Sequence, residues 1–331
     1  MTPDLSHSAR VAAPTARWTD YLQMARLDHM TKHVFIVPGI VLAWMLRDAP
    51  VLQSWMNIVL GFASAVLIAS ANYIINEWLD REFDAYHPDK SKRPAVNVAM
   101  RALPVYAAYA GCAILGLVLA RQVNMLFLAT AVLFWLSGVM YNVKPIRTKD
   151  TAYLDVLSES INNPIRLMLG WAMIDGGTIA PASFLVAYWM GGAFLMGAKR
   201  LSEYREISAG PGVGVLHLYR RSFQQYTEER LTISCFVYAL LATMLVGVFM
   251  VKYRIEYLLA CPLIIALFAQ YLSLSMRSGS VAQKPEKLFR EPRLMVLSAL
   301  TALAFVALSF VHIGWLQNLA QPQFITVTIP Q

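Results

Sequence analysis

Apolar runs of membrane-spanning length recur along almost the whole of this sequence, and they decide its fold class before any motif is considered. Crossing the hydrocarbon core of a bilayer takes roughly 20 mostly apolar residues in a helix, which satisfies every backbone polar group within the segment. Runs bounded by charged residues fall at roughly 33–47, 54–79, 102–120, 123–141, 152–173, 181–200, 231–251, 256–276 and 294–315. The first is short, with its start left open toward the amphipathic stretch DYLQMARLDHMTKH. The expected fold is all-α integral membrane, a single bundle of about nine transmembrane helices. Composition agrees, since 15% of residues are charged where a soluble domain carries nearer a quarter. Cys112, Cys235 and Cys261 each sit inside an apolar run without CxxC spacing. That argues against a zinc site or disulfide framework and suits small buried side chains.

Lysines and arginines gather in alternate loops, which sets orientation by the positive-inside rule. Arg81, Lys90, Lys92, Arg93 and Arg101 follow the second span, and Lys144, Arg147 and Lys149 the fourth. Arg205, Arg220, Arg221 and Arg230 follow the sixth, and Arg277, Lys284, Lys287, Arg290 and Arg293 the eighth. The intervening loops RDAP, RQVN, DGGTIAP and KYRIE are short and poor in charge. The expectation is a multi-pass protein of the inner (cytoplasmic) membrane, its N-terminus, basic loops and active-site opening facing the cytoplasm. Residues 1–20 read as a flexible leader without the apolar core of a secretory signal. Residues 21–316 read as the membrane domain, and 317–331 as a short extracytoplasmic tail. Trp18, Trp44, Trp55, Trp171 and Trp315 lie near span ends, where the bilayer interface favours them. The net charge of +8 follows mostly from this loop asymmetry, so no nucleic-acid partner is expected. A homo-oligomer is compatible with everything in the chain.

The stretch NEWLDREFDAYHPDKSKRP, residues 76–94, ends the second span. Asn76, Asp80 and Asp84 are four residues apart, so on a helix they share one face at about 6 Å per step. Arg81 points about 100° away from Asp80. The spacing fits a Mg²⁺ site in which one or two carboxylates are joined by phosphate oxygens and water, with Lys90, Lys92 and Arg93 on the remaining charge. It fits equally an acidic, solvated helix end followed by topology-setting lysines. His87 suits a phosphate contact or a structural role, and His29 and His33 an interfacial pair beside Lys32.

NEWLDREFD resembles the NxxxDxxxD signature of the UbiA-type intramembrane prenyltransferase superfamily, with Glu77 where aspartate is commoner. YNVKPIRTKD is similar to the YS-x-P-P-x-R-x-K loop after the family's fourth helix, which brings in Tyr141 and Lys149. The resemblance implies a nine-helix bundle in which Asp80 and Asp84 hold Mg²⁺ with Asn76 assisting. Most members carry a second aspartate motif after helix six. Here MGAKRLSEYREI has Lys199, Arg200 and Glu203 instead. Lys199 and Glu203, four residues apart, suit a simple surface pair or a pair that turns Lys199 and Arg200 toward an anion.

AKRLSEYR resembles the KRxxE element of the polyprenyl-phosphate phosphoribosyltransferase branch, of which decaprenyl-phosphate 5-phosphoribosyltransferase is the named member. AYHPDKSKRPAV, LYRRSFQQYTEERL and KPEKLFREPRLMVL are similar to further elements of that branch, with Phe223 and Pro292 as departures. ARLDHMTKH keeps the branch lysine as Lys32 but has His33 for asparagine, and Arg166 aligns with a branch arginine. The branch implies transfer of the 5-phosphoribosyl group from phosphoribosyl diphosphate to a polyprenyl phosphate, feeding ribose and arabinose donors for envelope glycans. It implies Lys32, Lys90, Lys92, Arg93, Tyr141, Lys149, Arg166, Lys199, Arg200 and Glu203 at the substrates. An aromatic prenyltransferase using a polyprenyl diphosphate and a 4-hydroxybenzoate-type acceptor shares the first motif. A lipid-phosphate binder or transporter without chemistry is the further rival.

Overall fold

The structure, a computed structural model, describes residues 14–47, 54–87, 89–210, 212–277, 279–280 and 291–320. The expectations for the leader before residue 14, the basic loop with Lys284, Lys287 and Arg290, and the tail after residue 320 lie outside the described residues. The helices are α1 (Trp18–Met24), α2 (Val37–Arg47), α3 (Trp55–Asp84), α4 (Pro94–Asn97), α5 (Ala102–Val123), α6 (Met125–Asn142) and α7 (Leu154–Ser160). There follow α8 (Asn162–Ile174), α9 (Ala182–Ala209), α10 (Val213–Tyr219), α11 (Glu228–Tyr253), α12 (Cys261–Ser275), α13 (Pro292–Phe310) and α14 (Gly314–Ala320). No strand occurs among the described residues, apart from one isolated bridge between Thr15 and Ala99.

Among the described residues, six helical segments are long and apolar enough to cross a bilayer: α3, α5, α6, α11, Ile255–Ser275 and α13. The other predicted runs are helical but differ in detail. A 3₁₀ segment, Leu27–Ile36, precedes α2, which has only 11 residues. The run expected at 152–173 is broken at Ile161 into α7 and α8. Pro164 explains the break: without an N–H it cannot bond back to Ser160, and proline is tolerated only in a helix's first turn.

The chain forms two compact units, Met1–Ala180 with Ile207–Thr227, and Pro181–Glu206 with Glu228–Gln331. In the first, α3 packs against α5, α6 and α8, and α2 against α8. Lipid tails are as apolar as leucine, so close fit rather than water exclusion holds such helices together. Ser64 Oγ donates to the Gly116 carbonyl across α3 and α5 at 2.7 Å. Asn72 Nδ2 donates to the Phe134 carbonyl on α6 at 2.9 Å. The Asn72 side chain lies where a Cβ on Gly138 would come within 2.1 Å of its Oδ1. Ile68, Phe127, Phe134, Leu169 and Met173 fill the core between.

Where α2 meets α8 the two backbones touch. A Cβ on Gly39 would lie 1.9 Å from the Leu167 carbonyl oxygen, and one on Gly170 2.1 Å from that of Ile36. Neither obstacle is a side chain that can rotate aside. Gly39→Ala is therefore expected to destabilise the protein by about 3 kcal/mol, the upper range for overpacking. The readout is the midpoint of thermal aggregation in detergent, and an unchanged midpoint would refute the backbone contact.

In the second unit α9 packs on α11 through Gly197, where an added Cβ would meet Cys235 Sγ at 3.0 Å. Phe184 meets Phe249 of α11 and Phe194 meets Phe268 of α12, each pair with ring centroids 4.8 Å apart. Arg254 donates to the Leu308 and Val311 carbonyls at 2.9 and 3.0 Å, satisfying groups left open at the end of α13. The three cysteines are free thiols, Cys235 buried and Cys112 and Cys261 half-buried.

Candidate functional site

Helix α3 continues to Asp84, beyond the predicted end at residue 79, and carries Asn76, Asp80 and Asp84 on one face. Asp80 Oδ1 lies 2.6 Å from Lys149 Nζ and 2.9 Å from Arg147 Nη2. Lys149 also donates to Asn142 Oδ1 at 2.7 Å, and Asn76 Nδ2 donates to that same oxygen at 2.5 Å. Asp84 pairs with Arg93, both largely buried. Lys90 donates to the Tyr219 hydroxyl and lies close enough to act on both aspartates. His87 Nδ1 accepts from the backbone N–H groups of Asp89 and Lys90 at 3.1 and 3.2 Å, so it shapes the loop that delivers Lys90. Glu77 is buried and accepts from Ala95 N at 3.4 Å, tying the far end of that loop to α3. Arg81 lies over Trp78 and 3.9 Å from Glu82.

The solvated-helix-end alternative fails on this geometry. Asp84 is 2% exposed and paired with Arg93, and Asp80 is paired with Lys149 and with Arg147, which also meets Asp150. Arg147 has a positive φ of 29°, a strained conformation for a side-chain-bearing residue. Its guanidinium bonds Asp80, Asp150 at 3.1 Å and the Asn142 carbonyl at 3.2 Å, which hold it there. Burial pushes the Lys149 ammonium down to about 8, with Asp80 pulling against it.

Each aspartate keeps one oxygen outside its ion pairs. Asp80 Oδ2 receives only Asn76 Nδ2, at a long 3.3 Å, and Asp84 Oδ1 meets no hydrogen-bond donor among the described residues. Two carboxylate oxygens one helical turn apart suit Mg²⁺ that arrives on substrate phosphates. They do not suit a closed protein cage, and among the described residues no group of three or more His, Cys, Asp or Glu is arranged to hold a metal ion by itself.

A second network surrounds Tyr141. Its hydroxyl donates to Glu159 Oε2 at 2.9 Å and accepts from Arg220, while Lys149 and Arg220 lie 5.6 and 5.9 Å from its ring centre. Arg220 Nε is 3.4 Å from Asp155, a fully buried carboxylate that also accepts from Ser222 at 3.1 Å and Tyr226 at 2.7 Å.

Of the residues expected at the substrates, Asn76, Asp80, Asp84, Lys90, Arg93, Tyr141 and Lys149 thus come together. Lys92 is exposed on its loop. Lys32 lies 5.4 Å over the Tyr73 ring, and buried Arg166 lies 5.0 Å over Phe134, both higher in the same unit. In the other unit, Glu203 closes on Arg200 at 3.0 Å, three residues apart on α9 and both buried. Arg147, Tyr219, Arg220 and Asp155 were not singled out as site residues, although Arg147 and Arg220 stand inside the motif stretches YNVKPIRTKD and LYRRSFQQYTEERL.

Residues 36–290 match the UbiA prenyltransferase family. The chain belongs to that family. Protoheme IX farnesyltransferase of Alkalihalophilus pseudofirmus is 26% identical to this UbiA member over 230 residues, 67% of this chain and 72% of that protein. Nodulation protein NoeC of Azorhizobium caulinodans is 26% identical over 220 residues, 65% and 66% of the respective chains. Among solved structures, a UbiA homologue from Archaeoglobus fulgidus bound to GPP and Mg²⁺ superposes with a TM-score of 0.65. It covers 88% of this chain and 100% of that one at 22% identity, a likeness of fold. The protein is thus a multi-pass membrane transferase with the UbiA fold.

Proposed function

We propose that this UbiA member transfers the 5-phosphoribosyl group of phosphoribosyl diphosphate to a polyprenyl phosphate, releasing diphosphate. The observation that carries the reading is the basic element of α9. In the stretch MGAKRLSEYREI, Lys199 and the buried Arg200–Glu203 pair take the sequence position that the resemblance gives to a second aspartate motif. One acidic motif with a basic counterpart suits two phosphorylated substrates, of which only one brings a diphosphate and metal.

In this reaction the bond from the anomeric carbon to the diphosphate oxygen breaks, the diphosphate keeping the electron pair. A bond forms from the lipid phosphate oxygen to the same carbon. Arg93, Lys90, Arg147 and Lys149 supply fixed positive charge where the leaving diphosphate develops its own, the kind of preorganised field that usually gives the largest catalytic term. Asp80 and Asp84 would hold Mg²⁺, which when bound would supply further positive charge to the diphosphate. A phosphate monoester has a second pKa near 6, so the lipid phosphate is ionised at neutral pH and no general base is needed.

The test is incubation of the purified protein with Mg²⁺, radiolabelled phosphoribosyl diphosphate and a polyprenyl phosphate. Label passing into the organic phase supports the reading. Product formed instead from a polyprenyl diphosphate and an aromatic acceptor would replace it with prenyl transfer, the chemistry that the farnesyltransferase relative is named for.

The pH profile follows from Lys149. With its free-enzyme value near 8, below the usual lysine value of 10.5, the residue is charged below that pH and loses its charge as pH rises. Because kcat/KM reports ionisations of the free enzyme, it is expected to fall above about pH 8. Lys149→Arg should carry the alkaline limb higher, since arginine stays charged. An unshifted limb in that variant counts against Lys149 as the titrating group.

A further inference from the structure

Along the first unit, the 3₁₀ segment before α2, α2 itself and α3 line an apolar groove formed by Val34, Val37, Phe62, Ala63 and Val66, with His33 as its one polar residue. His33 is 8% exposed, and its Nδ1 is buried with no hydrogen-bond partner among the described residues. An unmet buried polar atom of this kind is costly unless a ligand completes it. Lys32 and Arg166 are the charges that act on the ring, so the polar end of the groove is basic. At 100° per residue, Phe62, Val66, Tyr73 and Asp80 fall within about 40° on one face of α3. Tyr73, with Lys32 over its ring, lies about 10 Å along the helix from both Val66 and Asp80.

We propose that this groove is the docking site of the acceptor lipid, with the phosphate monoester on His33 and Lys32 and the isoprenoid chain along Phe62, Ala63 and Val66. The apolar lining takes the chain, the basic end takes the anion, and the shared face of α3 sets the headgroup in line with the aspartates. His33 replaces the asparagine expected at this position, and here it serves as donor to the phosphate. This assignment rests on the proposed polyprenyl phosphate acceptor, but it is testable without the sugar donor.

The experiment uses the full chain in nanodiscs, with a polyprenyl phosphate carrying a diazirine in its chain as the probe and no phosphoribosyl diphosphate. Crosslinks are expected on peptides containing Val34–Val37 or Phe62–Val66. Unlabelled polyprenyl phosphate should compete, the corresponding polyprenol about tenfold less well, and inorganic phosphate not at all. His33→Phe should erase the tenfold preference for the phosphate, while His33→Gln retains part of it. Val66→Trp, which fills the groove without touching its polar end, should abolish labelling. Labelling elsewhere, equal competition by polyprenol, or full labelling of Val66→Trp would overturn the site. Labelling here without any phosphoribosyl transfer would sink the proposed donor and leave this site standing. Transfer with labelling elsewhere would do the reverse.

Discussion

Asp80→Asn is expected to lower turnover about a thousandfold, the scale on which a transition-state charge stabiliser is missed. Asparagine keeps the shape of the side chain but neither neutralises Lys149 and Arg147 nor offers an anionic oxygen to Mg²⁺. The same contacts predict a structural effect in Asp80→Ala. Lys149 and Arg147, 6% and 8% exposed at their side chains, would lose their shared carboxylate and remain as buried cations. Breaking one side of such a buried pair costs about 3–5 kcal/mol, and the partial exposure of Asp80 places the loss near the lower figure. Pairing Asp80→Asn with Lys149→Met should restore much of the thermal midpoint while leaving turnover lost. Turnover within tenfold of wild type in Asp80→Asn would remove this residue from the metal and diphosphate site.

The second large effect belongs to Asp155, which no motif marked. Its fully buried carboxylate accepts from Ser222 and Tyr226 and pairs with Arg220, so Asp155→Ala leaves two hydroxyls without their acceptor and a buried guanidinium without this counter-charge. A loss of about 3–5 kcal/mol is expected, visible as a lowered unfolding midpoint in detergent. Asp155 acts on the site through Arg220, which it holds against the Tyr141 hydroxyl. In the milder Asp155→Asn, KM for the phosphorylated donor should therefore rise more than kcat falls. Tyr226→Phe removes a single hydrogen bond and should cost about 1 kcal/mol with little change in KM. Equal falls in kcat and kcat/KM for Asp155→Asn would argue that the residue acts on the transition state instead.

Much of the site was legible because helical spacing is a local property. Asn76, Asp80 and Asp84 stand at intervals of four, and any helix through them must align them. The basic residues at 90, 93 and 149 lie within loops too short to carry them far from a helix end. What could not be read was pairing between distant parts of the chain. Arg147 belongs to Asp80 only because α6 packs on α3, bringing residues 67 positions apart to 2.9 Å. Asp155 was hidden by its surroundings, since a carboxylate in an apolar run gives no sign of the Ser222 and Tyr226 hydroxyls that satisfy it.

Two features mark the division between chain and fold. The long apolar runs determine an all-helical membrane protein, since a bilayer core leaves the backbone no other way to satisfy its own hydrogen bonds in a single chain of such runs. The spacing of its carboxylates and the placing of its bases equally fix a face suited to anions. Only tertiary packing decided which cation meets which carboxylate, that Glu203 closes on Arg200, and that His33 keeps a nitrogen unmet at the end of an apolar groove. Those outcomes depend on tertiary packing, where Gly39 and Gly170 let backbones approach and Gly138 admits the Asn72 side chain, at distances that no single helix reveals.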